Sequence, residues 1–560
     1  MSIPKQNKFY ITTSIAYANA APHIGYAMEI CQADVLARYH RMKSDDVFFL
    51  SGTDENGSKI KKTALEKKMD PQKFVDENSA KFQLLLDTLN ISNNDFIRTT
   101  DKNRHWPAAQ KLWNKLVESG DIYKSNYEGY YCVGCEAYLT EKDLVDGKCP
   151  NHQKAPEKIK EENYFFKLSK YSKIIQEKIE SGKLEILPES RKNEILNVIK
   201  GGLKDISFSR PKKVLDWGVP VPNDETQTMY VWCDALTNYI SALGYGDFDS
   251  NSPLEMGKGC VNFQKYWPAD IHLIGKDILR FHAAIWPAML LSAGLPLPKK
   301  IFVHGFITSG GQKISKSLGN TIDPFEVVDK YGMDALRYYL LKEIPSGGDG
   351  DFSFERFEEV YQTDLANGLG NLVSRTLTLA KKYFDSKVPE KKKGDTERRY
   401  EIHSSYISPY KFYFKETWES IDKFINNFKL NKALEFIISF GDTSKRFPIG
   451  NTNFKDRGVL EGIVARQNKL IQESKPWELI KTDEEITRYY VYDLLESLRH
   501  IAWMIYPFMP ETAMKIFTQL FADEQERKIE LNKNLKQAQK WGRLKPGIKI
   551  KKGEILFPRL

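Results

Sequence analysis

Two stretches of this sequence carry side chains suited to phosphate chemistry. The first is His23-Ile24-Gly25-Tyr26, which follows the small-residue run Ala16-Tyr17-Ala18-Asn19-Ala20-Ala21-Pro22. The second, far downstream, is Gly311-Gln312-Lys313-Ile314-Ser315-Lys316-Ser317-Leu318-Gly319-Asn320, entered through a Ser309-Gly310-Gly311 turn. His23 offers a hydrogen-bond donor, and Gly25 removes a side chain that would hold a ligand at a distance. Lys313, Lys316 and Ser317 put two cations and a hydroxyl on a glycine-flanked loop, a set that suits a clamp on nucleotide phosphates. The plainer readings are a capping histidine and a solvated basic loop. A third group is Cys132-Val133-Gly134-Cys135 followed, thirteen residues on, by Cys149-Pro150-Asn151-His152. Soft ligands at CxxC…CxxH spacing fit tetrahedral Zn²⁺. Four protein ligands leave no open position, so such a zinc is structural. The alternative is unrelated buried thiols.

These groups need elements to hold them. Phe9, Ile11 and Ile15 alternate with polar residues, which is strand periodicity. Met28, Cys31, Val35 and Tyr39 recur at three- and four-residue steps, which is helix periodicity. His23-Tyr26 therefore stands at a helix start, where unpaired N–H groups and the dipole favour phosphate. The stretch Asp46-Val47-Phe48-Phe49-Leu50-Ser51-Gly52-Thr53-Asp54-Glu55-Asn56-Gly57 reads as a second strand ending in a polar turn, with Asp54 at the strand end. Strand, helix and strand in this order predict a parallel α/β sheet, and such sheets bind ligands at the carboxyl ends of their strands. Between about 120 and 228 the alternation breaks, and the cysteine group lies there. The α/β pattern resumes over residues 229–239 and continues through Asp270-Ile271-His272-Leu273-Ile274-Gly275-Lys276-Asp277. In the helix that follows, Ile278, Phe281, His282, Ile285, Trp286 and Met289 share one face. From about 366 onward glycine is sparse and helical periodicity dominates, which predicts a bundle. The charged run Lys387–Arg399 has no apolar period and reads as an exposed loop.

The chain has 560 residues, enough for three or four domains. It is 41% hydrophobic and 28% charged, a globular composition. No apolar run approaches the about 18 residues of a membrane span, and the first residues lack an apolar leader. A cytoplasmic protein with reduced cysteines is expected. Net charge is +9, and it is unevenly spread. Residues 366–560 hold 36 basic and 25 acidic side chains, and the last thirty residues hold nine basic and one acidic. A basic C-terminal region suggests a polyanion partner. Charge alone equally allows a solvated helical surface.

In this order, His23-Ile-Gly-Tyr26 and Lys313-Ile-Ser-Lys-Ser317 resemble the HIGH and KMSKS signatures of class I aminoacyl-tRNA synthetases. Within that class the chain resembles the methionyl-tRNA synthetases nearly end to end. The likeness rests on Ala21-Pro-His-Ile-Gly25, Phe49-Leu-Ser-Gly-Thr-Asp54, the single cysteine knuckle, Asn163-Tyr-Phe-Phe166, Trp217-Gly-Val-Pro-Val-Pro222, Tyr230-Val-Trp232, Gly275-Lys-Asp277, Phe281-His-Ala-Ala-Ile-Trp286 and the Lys313 stretch. The resemblance implies a Rossmann-like catalytic domain in two halves, 1–119 and 229–305, split by a zinc-binding connective insertion at 120–228. A KMSKS-loop and stem-contact region at 306–365 follows, then an all-α anticodon-binding domain with a basic tail at 366–560.

The same resemblance implies roles for single residues. Ile15, Tyr17, Asp54, Trp232, Ala235, Leu236, Tyr239, Ile278, Phe281, His282 and Trp286 form a methionine pocket, with Asp54 on the substrate ammonium. His23, Gly25, Tyr26, Gly275, Asp277, Lys313, Lys316 and Ser317 bind ATP, with His23, Lys313 and Lys316 catalytic. Asn371, Arg375 and Trp477 read the anticodon. Cys132, Cys135, Cys149 and His152 hold one structural Zn²⁺, and Mg²⁺ accompanies ATP. The implied partners are ATP, L-methionine and tRNA(Met), initiator included, with no membrane, and a monomer is expected. Three positions depart from the family pattern. Tyr26 stands at the last position of HIGH, where its hydroxyl is expected to donate to the nucleotide. Asn56 stands where many relatives have His, and Leu236 where some have Pro. Competing readings are a leucine, isoleucine, valine or cysteine enzyme of the class, and a tRNA-binding paralogue without activity. About 110 residues separate the two halves, too few for the large editing insertion of the first three enzymes. Intact His23, Asp54, Lys313 and Lys316 oppose the paralogue.

Overall fold

A computed structural model describes residues 6–133, 137–139, 141–150, 153–247, 258–313, 321–390, 410–438 and 462–560. They cluster into two compact units, Met1–Ala37 with Asp45–Phe306, and Arg38–Ser44 with Ile307–Leu560.

In the first unit, β1 (Lys8–Thr13) leads through β2 (Ala16–Tyr17) into α1 (Ile24–Met42), and β3 (Asp46–Asp54) follows. The chain continues as α2 (Ser58–Glu66), α3 (Pro71–Thr88), β4 (Asp95–Arg98) and α4 (His105–Glu118). An antiparallel sheet then interrupts the α/β pattern. Its strands are β5 (Ile122–Cys132), β6 (Ala137–Leu139) and β7 (Glu157–Phe166). After α5 (Ser172–Glu180), β8 (Glu185–Leu187) and α6 (Glu189–Lys200), β9 (Ile206–Ser207) adds to that sheet. A second small sheet is built from β10 (Ser209–Pro211), β11 (Pro220–Val221) and β12 (Asp224–Met229). Helices α7 (Val231–Leu236), α8 (Asn238–Ser241) and α9 (Lys258–Tyr266) precede β13 (Ile271–Gly275), and α10 (Trp286–Ser292) precedes β14 (Lys300–His304).

The seven strands of the main sheet run in the order β2-β3-β1-β13-β14-β8, with β4 on β3, and every pairing is parallel. Of these central strands, β3 carries the apolar run Val47-Phe48-Phe49-Leu50 and β13 is mostly apolar, while β1 mixes apolar residues with Thr12 and Thr13. Because the pairing is parallel and in register, Asp54, Gly275 and His304 all end strands at one edge, and Gly275 lies opposite His304. Residues 185–187, inside the segment expected to be an insertion, supply β8, which pairs with β14. The helical face expected after Asp277 is present, with a π-helical turn over Phe281–Ile285. Pro287 has no N–H to give the regular ladder there.

The second unit opens on β15 (Ile307–Ser309), β16 (Gln312–Lys313) and β17 (Gly350–Asp351), which form a three-stranded sheet. Thereafter the described residues are mainly helical, including Asn371–Tyr383, Ile463–Ser474, Pro476–Thr482 and Glu484–Ile505. The final thirty residues, expected as a basic tail, are held on this unit by hydrogen bonds. Glu496 accepts from the N–H groups of Gly542, Arg543 and Leu544 at 2.8, 3.1 and 3.0 Å. Arg499 donates to the carbonyls of Ala538 and Lys540 at 3.0 and 2.8 Å, and Ile550 N–H to Ser386 O at 2.9 Å. Of the charged run at 387–399, Lys387 and Glu390 are exposed, Val388 and Pro389 are buried, and the rest lies outside the described residues.

Candidate active site

The aromatic face after β13 and the helix α7 build a pocket wall. Trp232 and Phe281 stack with centroids 3.7 Å apart and planes 8° from parallel. Beside them the Tyr239 hydroxyl donates to His282 Nε2 at 2.7 Å, and His282 Nδ1–H donates to the carbonyl of Ile278 at 3.0 Å. Burial holds the His282 imidazole down at about 4, and it raises the Tyr239 phenol. Both groups are therefore neutral at pH 7, as the donor and acceptor pattern requires. Trp286 is fully buried and its indole N–H donates to His272 Nε2 at 3.3 Å. Ala235 and Leu236 are buried on α7, while Ile15, Tyr17 and Ile278 are partly buried against the same core. The Trp232 indole N–H is buried without a hydrogen-bond partner in the described structure.

Asp54 is buried at the end of β3. Its Oδ1 lies 3.4 Å from Asn56 N and 3.5 Å from Thr99 Oγ1. The family expectation singled out Asp54. It did not reach the polar chain behind it, where Asn56, Asp234, His105 and Ser241 are linked by hydrogen bonds between buried side chains.

At the carboxyl edge of the sheet, His23 caps α1. Its Nδ1 accepts the Gly25 N–H at 3.0 Å, and the ring is exposed. A Cβ at residue 25 would sit 2.9 Å from His23 Cε1, so only glycine admits this cap without a shift. At Gly275 a Cβ would meet Asp277 Oδ1 at 2.8 Å and His304 Cε1 at 3.6 Å. Bare backbone at this strand end leaves room for a ligand. His304, absent from the sequence expectations, donates from Nδ1 to Gly305 O at 2.7 Å and from Nε2 to Glu29 Oε2 at 2.8 Å. Glu29 also accepts from Ser14 N at 2.8 Å and Ser14 Oγ at 2.5 Å. Burial disfavours the His304 cation, but the Glu29 carboxylate outweighs it and raises the pKa. The sequence shows His304 at a strand end, yet no spacing links it to Glu29.

Tyr26 packs inward. Its side chain is buried, its hydroxyl is 2.9 Å from Ser51 Oγ, and its ring meets Phe82 edge-on at 5.0 Å. The phenol expected to reach the nucleotide is instead a core group bonded inside the sheet. Position 26 follows the helix start by two residues and so points back to the sheet.

In the second unit, β15 and β16 form an antiparallel hairpin that carries Lys313 at its end. The turn residues Gly310 and Gly311 have φ of +60° and +73°, which favours glycine. Asp351 accepts from Thr308 Oγ1 at 2.6 Å and from the N–H groups of Gly311 and Gly310 at 2.9 and 3.2 Å, pinning the turn. Lys316 and Ser317 lie outside the described residues, as do Cys135 and His152. Cys132 ends β5 and Cys149 follows the Val145–Lys148 bridge, and both are buried. Among the described residues no three His, Cys, Asp or Glu side chains are grouped as metal ligands. Asn371 and Arg375 stand one turn apart on Asn371–Tyr383. Asn371 Nδ2 is 3.5 Å from Asn468 Oδ1, and burial lowers the Arg375 pKa against an opposing contribution from Tyr490. Trp477 is 39% exposed at the start of Pro476–Thr482.

Comparison with known proteins reaches the same architecture. A family model described as "tRNA synthetases class I (M)" matches residues 9–158 and 151–377, and one described as "Anticodon binding domain of methionyl tRNA ligase" matches 454–560. A methionine–tRNA ligase of Caldanaerobacter subterraneus subsp. tengcongensis is 43% identical over 99% of this chain and 79% of its own length. One from Rickettsia felis is 42% identical over 99% of both. The solved Mycobacterium tuberculosis methionyl-tRNA synthetase in complex with methionyl-adenylate superposes with a TM-score of 0.84 at 36% identity, over 99% of this chain and 100% of that one. With a parallel sheet whose carboxyl edge gathers the aromatic pocket, Asp54 and the capped helix, and with these matches along its length, the chain belongs to the methionyl-tRNA synthetases, the methionine–tRNA ligases of class I.

Proposed function

We propose that the first unit's strand-end pocket is where this chain activates methionine. The carrying observation is the Tyr239–His282 pair beside the stacked Trp232 and Phe281 rings. Aromatic faces suit a polarizable thioether. Two mutually bonded neutral groups give its sulfur a polar neighbour without a charge, and the buried Trp232 N–H supplies a further donor. Asp54 pairs with the ammonium, Ile15, Tyr17, Ala235, Leu236, Ile278 and Trp286 complete the walls, and Gly275 and Asp277 receive the adenosine ribose. His23, Gly25, Lys313, Lys316 and Ser317 hold the phosphates, and Mg²⁺ accompanies ATP with no protein ligand assigned.

The methionine carboxylate oxygen forms a bond to the α-phosphorus in line. The bond from that phosphorus to the bridging oxygen breaks, and pyrophosphate leaves with the electron pair. Such a step needs positioning and charge stabilisation rather than a covalent group of the protein. The lysines act on the charge that develops on pyrophosphate. The 2′-hydroxyl of the terminal tRNA adenosine then attacks the carbonyl, and AMP is released.

The buried thiols of Cys132, at the end of β5, and of Cys149, after the Val145–Lys148 bridge, fit soft-ligand binding of Zn²⁺ together with Cys135 and His152. Bound there, zinc would cross-link the knuckle turns. Cys132→Ser should lose metal by elemental analysis and lose tRNA charging. Active protein holding Zn²⁺ well below one per chain would count against the assignment. Asn371, Arg375 and Trp477 read the anticodon of tRNA(Met), initiator included. The protein acts in the cytoplasm as a monomer, with catalytic halves at 1–119 and 229–305 and anticodon binding at 366–560. Among the described residues no helix is long and apolar enough to cross a membrane. ATP–pyrophosphate exchange across a panel of amino acids tests the reading: methionine alone should support it, and exchange with leucine, isoleucine, valine or cysteine instead would overturn it.

A further inference from the structure

Asp234 sits on α7 between Trp232 and Ala235 and is 1% exposed. Its two carboxylate oxygens are taken by partners from different parts of the unit. Oδ1 accepts His105 Nε2–H at 2.5 Å, and Oδ2 accepts Asn56 Nδ2–H at 2.6 Å. His105 begins α4, and its other ring nitrogen lies 2.9 Å from Ser241 Oγ on α8. Asn56 stands two residues beyond Asp54. Its amide also donates to Thr99 O at 3.3 Å, while the Thr99 hydroxyl accepts the Glu55 N–H at 2.8 Å. All these side chains are buried. None has a part in the reaction written above.

A buried carboxylate is costly unless its oxygens are satisfied, and an apolar contact would pack the same elements without that cost. What the carboxylate adds is direction: it accepts only where donors point at it, so it fixes the rotation of α7 against the end of β3. The thioether wall rides on α7 and α8, and the ammonium partner ends β3. We propose that Asp234, acting through Asn56 and His105, is the positioning residue that sets the span between Asp54 and the Trp232–Tyr239 wall, and thereby selects the length of the amino-acid side chain. This rests on the reading of Asp54 and the aromatic pocket as the methionine site.

The chemistry of the pair supplies its own rescue. In Asp234→Asn the amide can accept from one neighbour, but its NH₂ then faces another N–H donor. Adding Asn56→Asp returns an acceptor opposite that NH₂, and only the 3.3 Å bond to Thr99 O is lost. The test is methionine-dependent pyrophosphate exchange, with ethionine, which keeps the thioether and is one methylene longer, as the competing substrate. D234N should raise KM for methionine about tenfold or more, leave KM for ATP and kcat within about threefold, and lower the methionine-to-ethionine ratio of kcat/KM about tenfold, the scale of one methylene. N56D/D234N should recover most of that ratio. A D234N enzyme that loses kcat while keeping the ratio, or a double variant no better than the single one, overturns the proposal. Should D234N fail to fold, the double variant and Ser241→Ala decide in the same assay, since a wild-type ratio in Ser241→Ala with an unrescued double variant is equally fatal. If the wild-type protein shows no methionine-dependent exchange, the pocket reading itself has failed. Wild-type activity with an unchanged ratio in D234N removes only the positioning role.

Discussion

Trp232 and Trp477 show two uses of one side chain. Trp232 is stacked on Phe281 at 3.7 Å, next to a hydrogen-bonded Tyr–His pair. Trp477 is 39% exposed on a helix start. A pocket for a small amino acid gains affinity when its groups are ordered in advance, because ordering them on binding would cost free energy. A face proposed to meet splayed nucleotide bases keeps an aromatic plane open, because each base supplies the other half of the stack. The proposed amino-acid site is thus built inward and the proposed anticodon site outward.

The sharpest way to break this contrast is at Asp54. Asp54→Asn removes the buried charge expected to meet the substrate ammonium, and losing one member of a buried pair costs roughly 3–5 kcal/mol. Pyrophosphate exchange at subsaturating methionine should fall at least about a hundredfold. A variant within tenfold of wild type would move the ammonium site elsewhere.

A second test uses pH. His282 has a folded pKa of about 4, set by burial, against about 6.5 in an unfolded chain. Between those values the unfolded chain binds a proton that the folded chain refuses. Stability from this group is therefore complete above about pH 6.5 and is lost as pH falls toward 4, by up to about 3 kcal/mol. Burial lowers His272 and His500 with the same sign. His304 is raised, so its contribution is complete below about pH 6.5 and fades as pH rises through its folded pKa. His282→Gln keeps an acceptor for Tyr239 but removes one titration. Its stability should depend on pH between 6.5 and 4 by about one proton less, as read by urea unfolding at several pH values. Unchanged slopes would mean that His282 is not held neutral.

The outward site calls for a different pair of assays. Trp477→Ala or Arg375→Ala should lower charging of methionine tRNA by roughly tenfold, since a lost base stack costs about 1–3 kcal/mol. Pyrophosphate exchange should stay near wild type. Equal loss in both assays would erase the distinction between the two sites.

Much of the sheet was legible because β1 alternates apolar and polar residues and β3 carries an apolar run. The stretch 46–57, read as a strand running into a polar turn, holds β3 over Asp46–Asp54. Strand β8 left no trace, because Glu185-Ile186-Leu187 is too short to show a period and earns its place only by pairing with β14. The polar chain behind Asp54 was equally silent. Asn56 and Asp234 are 178 residues apart and His105 and Asp234 are 129 apart, so only the fold brings them together. His304 and Glu29, 275 residues apart, were missed for the same reason.

Tyr26 is the smallest effect and the one where sequence and structure part. Read from its motif position, its hydroxyl belongs on the nucleotide. In the fold it lies 2.9 Å from Ser51, which itself lies 2.8 Å from Thr13 Oγ1, and burial pushes the phenol pKa up. Tyr26→Phe leaves Ser51 a partner in Thr13 and keeps the ring on Phe82, so the loss is one interior hydrogen bond, about 0.5–1.5 kcal/mol of stability. Single-turnover adenylate formation should be unchanged, because the hydroxyl is engaged within the core. Tyr26→His should cost more stability than Tyr26→Phe, since it places a smaller polar ring in a site shaped for a phenol. A tenfold slower adenylate step in a Tyr26→Phe protein of normal stability would return the hydroxyl to the nucleotide and overturn this placement.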